Sequence, residues 1–207
     1  ATADAVAKLR AEMGLDLPVI QQFGIYLKNV AQGDLGMSWQ TAKPVLEDLA
    51  ERFPATLELV TLSLILAIVI GLGLGIASAM RPKGILRKVA NYYGLLAGAV
   101  PDFWLALVFI FLFYSVLHWV PAPLGRYSIM MIAPPTVTGS ILIDSVLAGQ
   151  WDVFRSALGH LILPVATLGL VNAGPILKVT QSSMDRALSS DFMAYARMNG
   201  LPRRMIR

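Results

Sequence analysis

Residues 57–80 read LELVTLSLILAIVIGLGLGIASAM. Glu58 is the one charged side chain in this stretch and stands at its edge. As a helix rising 1.5 Å per residue the stretch reaches roughly 36 Å, enough to cross the hydrocarbon core of a bilayer. A soluble core helix does not need that length without charge. Gly71, Gly73 and Gly75 fall inside it, and Gly71 and Gly75 form a small-x-x-x-small pair. Such a pair lets a second helix approach closely in lipid, but glycine is also common in membrane helices without that role, so both readings stand.

The rest of the 207 residues agrees with a membrane class. Hydrophobic residues make up 56% and charged residues only 14%, where a soluble domain carries about a quarter charged. The chain has no cysteine, which excludes disulfides and thiol chemistry. Two further apolar runs are predicted to span, at about 94–117 and 158–177. In the first, Gly94 and Gly98 repeat the close-packing spacing, and Pro101 predicts a kink. Asp102 follows it. A carboxylate within a span costs on the order of 3 kcal/mol and faces a cavity or a partner. Asp102 is therefore read either as a polar point on a translocation path, suited to an amino group, or as a carboxylate at the interface or paired with a neighbouring helix. The third run contains Pro164 and Pro175 with Gly169 and Gly174, and is predicted to be a weakened helix whose freed carbonyls need outside partners.

Between these runs the chain is polar. Residues 1–55 are predicted to hold three short amphipathic helices: one over Ala5–Met13, one begun by Pro18 and stopped by Gly33, and one begun by Pro44. The 118–157 loop has four prolines, interfacial His118, Trp119, Tyr127 and Trp151, and a candidate short helix over Ile141–Leu147. After the third run, Ser190 to Pro202 reads as one short helix: Ser190 can cap it, Asp191 suits its positive end, and Gly200 and Pro202 end it. Phe192, Tyr195 and Ala196 share a face, Ala196 and Gly200 are small, and Arg197, Arg203, Arg204 and Arg207 make the flank basic. From the residues alone this is either an amphipathic helix lying on anionic lipid or a docking element.

Charge sets the orientation. Residues 1–55 carry five basic and seven acidic side chains, the 81–88 loop carries four basic and none acidic, residues 118–157 balance, and from Lys178 onward there are six basic and two acidic. The positive-inside rule puts 81–88 and 178–207 in the cytoplasm and the other two segments outside. The net charge of +4 is thereby explained by membrane orientation, and no nucleic-acid partner is needed.

The order of residues in Asp191-Phe192-x-x-x-Ala196-Arg197-x-x-Gly200 resembles the cytoplasmic "EAA" loop of ABC importer permeases, most closely the peptide-importer branch. Gln32-Gly33-Asp34-Leu35-Gly36-x-Ser38, Pro54 to Leu59, Pro101-x-Phe103-Trp104-Leu105, His160-x-x-Leu163-Pro164-x-x-Thr167-Leu168 and Lys178-x-Thr180-x-x-Ser183-Met184 are similar to runs of that family in family order. Asp102 departs from it, since a small polar residue is usual there. Ala194 and Asn199 stand where basic residues are usual, and the Ile-x-Leu-Pro end of the motif is missing.

The resemblance implies an all-α polytopic membrane protein, present here as a fragment with three transmembrane helices of an expected six-helix permease. It would have an extracytoplasmic helical segment at 1–55 and a transmembrane domain at 56–207, with a cytoplasmic coupling helix in the 185–207 loop. It implies a bacterial inner-membrane location and a second permease subunit, two ATPase subunits, an extracytoplasmic substrate-binding protein and membrane lipid as partners. ATP and Mg would sit on the partner ATPase and no cofactor in this chain. Asp191, Tyr195, Ala196, Arg197 and Gly200 would couple to the ATPase, with Pro101, Asp102 and Pro164 on the path. The solute would be a di- or oligopeptide, a nickel chelate or glutathione.

No phosphate-cradling Gly-x-x-x-x-Gly-Lys-Ser/Thr run occurs, the two histidines lack carboxylates at ligand spacing, and no hydrolase or zinc-protease motif is found. The chain is expected to catalyse no bond chemistry and to hold no metal. Rival readings are an ion-coupled secondary transporter or channel using Asp102, and a membrane anchor without a path of its own.

Overall fold

The computed structural model describes residues 17–199, apart from the side chains of Ala196 and Arg197. The expected helix over Ala5–Met13 lies outside the described residues. Among those described there is no β-strand, only an isolated bridge between Met37 and Pro44. The chain divides into two compact units, Ala1–Phe53 and Pro54–Arg207.

In the first unit α1 (Val19–Ala31) starts after Pro18 and ends at Gln32. Gly33 and Gly36 then take φ of 86° and 77°, and the Asp34 carboxylate accepts the Gly36 N–H at 2.9 Å. This turn leads to Pro44, whose carbonyl accepts the first helical N–H groups, those of Glu47 and Asp48. The helix it opens is not the separate short helix expected. α2 (Val45–Met80) runs for 36 residues through Pro54 and includes the whole 57–80 stretch. One missing N–H does not outweigh the continuous apolar surface that follows.

The second unit is organised on α6 (Trp151–Leu188), 38 residues long. The glycine pattern of α2 faces it. A Cβ on Gly71 would stand 2.7 Å from Ile176 and 3.0 Å from the Ala173 carbonyl, and one on Gly75 2.7 Å from Thr180. Gly169 of α6 meets Leu66 in the same way. Residue numbers rise together along this contact, so α2 and α6 run parallel. α3 (Ile85–Ala99) runs antiparallel: Arg87 meets Asp185, Asn91 meets Gln181, and Ala97 meets Gly174. The close-packing reading of the glycines therefore holds. Gly73, which has nothing within 4 Å, points elsewhere. Gly71→Val is expected to destabilise the full-length protein by about 1–3 kcal/mol through overpacking, seen as a lower Tm in detergent, while Gly73→Val leaves the Tm unchanged.

The expected 94–117 span is not one helix. α3 ends at Ala99, Val100 turns extended (φ −91°, ψ 123°), and α4 (Asp102–Phe109) starts afresh after Pro101. A π-helical segment (Ile110–Val116) continues α4, and the two arms are bent by 106°. Proline removes a donor and forces the residue before it out of the α region, so the kink becomes a break. The third run behaves oppositely. α6 is continuous through Pro164 and Pro175 and extends beyond 158–177 at both ends. Thr167 Oγ1 donates to Leu163 O at 2.8 Å, Asn172 Nδ2 to Leu168 O at 2.8 Å, and the Tyr93 hydroxyl of α3 to Leu170 O. α2 and α6 are each long and apolar enough to cross a membrane, and the broken α3–α4 pair makes a third candidate.

Residues 118–150 form the long loop between the π-helical segment and α6, and Ile141–Leu147 is a helix, α5, as expected. Ser140 caps it by accepting the Ile143 N–H. α5 packs on α6 through buried Ile141, Val153 and Ala157, with Tyr127, Met131 and Leu142 around them. The chain closes with α7 (Asp191–Met198).

Candidate functional site

α7 is joined to α6 by Ser189 and Ser190. Ser190 does not cap it with its side chain as expected: its hydroxyl donates back to Ala187 O at 2.8 Å, while its carbonyl accepts from Met193 and Ala194. Asp191 occupies the first turn, where a carboxylate complements the helix dipole. Phe192, Tyr195 and Met198 follow at intervals of three and are 76%, 67% and 84% exposed. The apolar face of this short helix is thus left largely uncovered, a surface suited either to lipid or to a partner. Of the other residues expected to couple, Ala196 and Arg197 lie in α7, and Gly200 lies outside the described residues.

Directly before α7, the end of α6 is tied to α3. Arg87 Nη1 and Nη2 donate to the two Asp185 oxygens at 2.9 and 2.6 Å, a bidentate geometry that fixes both side chains. One turn further in, the buried Gln181 amide donates to Ser78 Oγ of α2 at 3.1 Å and to Asn91 Oδ1 of α3 at 3.0 Å. Three helices thus meet in a hydrogen-bonded layer within the last turns of α6. Sequence reasoning passed over this layer because its partners are 90 or more positions apart.

The three residues expected on a path do not come together. Pro101 and Asp102 form the exposed break between α3 and α4, and Asp102 Oδ1 accepts the N–H of its own neighbour Phe103 at 2.8 Å. Pro164 lies on α6 between two cavities. The first, about 240 Å³, is mostly apolar and is lined by Ala106, Ile110, Leu163 and Thr167. The second, about 270 Å³, is lined by Glu58, Arg126 and Leu161. Pro164, His160 and Gly125 border both, and neither Pro101 nor Asp102 borders either. The His160 ring donates from Nδ1 to Ser156 O at 2.7 Å, which leaves Nε2 as an acceptor in the neutral ring.

Glu58 is the residue that the sequence most undervalued. It is 9% exposed and accepts from Arg126 Nη2 at 2.7 Å, Ser140 Oγ at 3.0 Å and the Leu142 N–H at 2.9 Å. Arg126 also donates to Gly139 O, and Gly139, at φ +79°, packs so close to Pro54 that a Cβ would stand 2.7 Å from its ring. The loop is therefore fastened to α2. A second carboxylate orders its turn: Asp144 accepts the N–H groups of Val137, Thr138 and Gly139 and the Thr138 hydroxyl. Burial pushes the Asp144 carboxyl up, but the Thr138 donors, with those of Val137 and Gly139, outweigh it and hold it below the usual carboxylate range. Lone acidic residues near apolar runs were the only available signal for either role. Among the described residues no group of three His, Cys, Asp or Glu side chains stands close enough to hold a metal ion.

Two long apolar helices packed through glycine and a broken third candidate span define a polytopic, all-helical membrane protein. The family model described as "Binding-protein-dependent transport system inner membrane component" matches residues 71–207. Over 201 residues the chain is 41% identical to a probable D,D-dipeptide transport system permease protein of Escherichia coli strain K12, covering 97% of this chain and 59% of that protein. It is 36% identical to a dipeptide transport system permease protein of Alkalihalophilus pseudofirmus, covering 97% and 60%. A di/tripeptide transport system permease protein of Pseudomonas aeruginosa is 35% identical, covering 94% and 57%. The chain belongs to the family of binding-protein-dependent transport system inner membrane components, and is a bacterial inner-membrane protein. It spans about three-fifths of the length of these relatives.

Proposed function

We propose that the chain serves in the permease subunit of an ATP-driven importer of di- or oligopeptides. The observation that carries this reading is 35–41% identity, over nearly the whole chain, to permeases named for dipeptides or di- and tripeptides. The exposed Phe192–Tyr195–Met198 face of α7 supports coupling to a separate ATPase subunit, with Asp191, Ala196, Arg197 and Gly200 completing the contact. Residues 81–88 and 178–207 then lie in the cytoplasm, in keeping with their positive charge. ATP and Mg belong to the ATPase, and this chain supplies the path. A second permease subunit and an extracytoplasmic binding protein complete the assembly. ATP-driven closure of the ATPase pair would bias a two-state rearrangement of the spans. The ion-coupled alternative gains nothing from Asp102, which is exposed and bonds within its own helix.

The test is uptake of a labelled dipeptide by the full-length protein with its partner subunits, reconstituted in vesicles with the binding protein outside. Uptake that needs enclosed ATP and survives collapse of the ion gradients is expected. Uptake that follows the ion gradient and ignores ATP would overturn the reading and return Asp102 to the centre of the mechanism.

A further inference from the structure

α6 carries its own depth scale. Between Arg155 and Lys178 it has no Asp, Glu, Lys or Arg. From Ser156 to Lys178 is roughly 33 Å at 1.5 Å per residue, about one hydrocarbon thickness. With Lys178 at the inner boundary, Ser156 stands at the outer one. The long loop is fixed to the helix at this level: Ser156 Oγ accepts the Ser128 N–H at 3.0 Å. A tight turn follows, closed by the Met131 N–H donating to Ser128 O at 3.0 Å.

That turn sorts its apolar side chains. Tyr127 and Met131 pack inward against the Ile141–Val153–Ala157 core. Ile129, Met130 and Ile132 point away and are 90%, 93% and 85% exposed. Residues 127–143 contain no charged side chain at all, and the neighbouring Arg126 is turned toward Glu58 and Gly139. Trp119 and Trp151, amphipathic rings of the kind that favour the headgroup level, flank the loop and are also exposed. An uncharged tip that exposes three large apolar side chains within four residues is costly in water. A polar docking partner would call for charged or polar side chains here, and Ile129 to Ile132 offer none.

We propose that the Ile129–Ile132 turn is a membrane-anchoring tip that inserts into the outer leaflet of the bilayer, its occupant being lipid acyl chains just below the headgroups. The Ser128–Ser156 hydrogen bond sets its depth, and the Glu58–Arg126 clamp holds it at a fixed angle to α2. The loop then grips the bilayer beside the spans. This holds whatever solute the permease carries.

The 207 residues contain no cysteine, so a single reporter can be placed cleanly once any cysteine elsewhere in the full-length protein is replaced. Met130→Cys and, as a water-facing control, Lys83→Cys are labelled with an environment-sensitive fluorophore. The full-length permease is then placed in lipid nanodiscs. Spin-labelled lipids bearing the quencher near the headgroup end of the acyl chain are expected to quench the Met130→Cys label several-fold more than the control, and aqueous iodide several-fold less. Quenching by iodide equal to the control would overturn the proposal and leave the tip in water. Shielding from both quenchers would overturn it in favour of a protein cover, and loss of that shielding on removing the binding protein or second permease would identify which.

Discussion

Replacing Glu58 by alanine is expected to unfasten the 118–150 loop from α2 and to destabilise the full-length protein by about 3 kcal/mol, the lower end of the range for breaking a buried ion pair. Three donors lose their acceptor at once: Arg126 Nη2, Ser140 Oγ and the Leu142 N–H. The lower end applies because the Arg126 side chain is 37% exposed against 5% for Glu58, so water can partly re-solvate the guanidinium. The Tm should fall by several degrees, and limited proteolysis should begin to cut within 118–150. Glu58→Gln should fall between, because the amide oxygen still accepts from Ser140 and Leu142 while its NH₂ meets Arg126 donor to donor. Loss of the Lys43–Glu47 and Lys43–Glu51 pairs, all about half exposed, should leave the Tm unchanged. A Glu58→Ala protein with wild-type Tm and protease resistance would show that the clamp is not what holds the loop.

The other large effect is expected at α7. Phe192→Ala combined with Tyr195→Ala should cut co-purification of an ATPase subunit with the full-length permease sharply. Two aromatic anchors at the centre of an interface are worth about 2–4 kcal/mol, or about 30- to 1,000-fold in affinity. Membrane insertion and Tm should be untouched, since both rings are mostly exposed in the folded chain. ATPase retained at wild-type stoichiometry would remove α7 as the coupling contact. If it is retained while Arg87→Ala abolishes transport, the coupling role would pass to the layer formed by Arg87, Asp185 and Gln181.

What the sequence made legible was whatever depends on neighbours in the chain. The apolar run at 57–80 announces a span, the Gly71–Gly75 spacing permits a close helix contact, and Ile141 to Leu147 offers a short helix. Each is a matter of length or period. The broken span at Pro101 and the unbroken helix at Pro164 and Pro175 show where that logic stops. All three are prolines in apolar runs, and local chemistry treats them alike. What separates them is tertiary: α6 is surrounded by α2, α3 and α5, with the Tyr93 hydroxyl on the Leu170 carbonyl, whereas the elbow at Val100 to Asp102 is largely exposed. Glu58 was invisible for the same reason, since its partners arrive from residues 126 and 140–142. The exposed face of α7 was legible as a helix with Phe192 and Tyr195 on one side, but only the structure leaves that side uncovered.

The unbroken course of α6 has one more consequence. Its 38 residues run about 57 Å along the helix, and moving as one body it would be a lever. Turned by about 10° around its middle, it carries each end through about 5 Å, a displacement on the scale of known domain motions. One end bears Asp185 and the link to α7, the other bears Ser156 and the anchored loop, and His160 and Pro164 sit on the outer arm beside the two cavities. A push delivered at the inner end would therefore reshape the outer cavities by simple mechanics, with no relay of side chains between them.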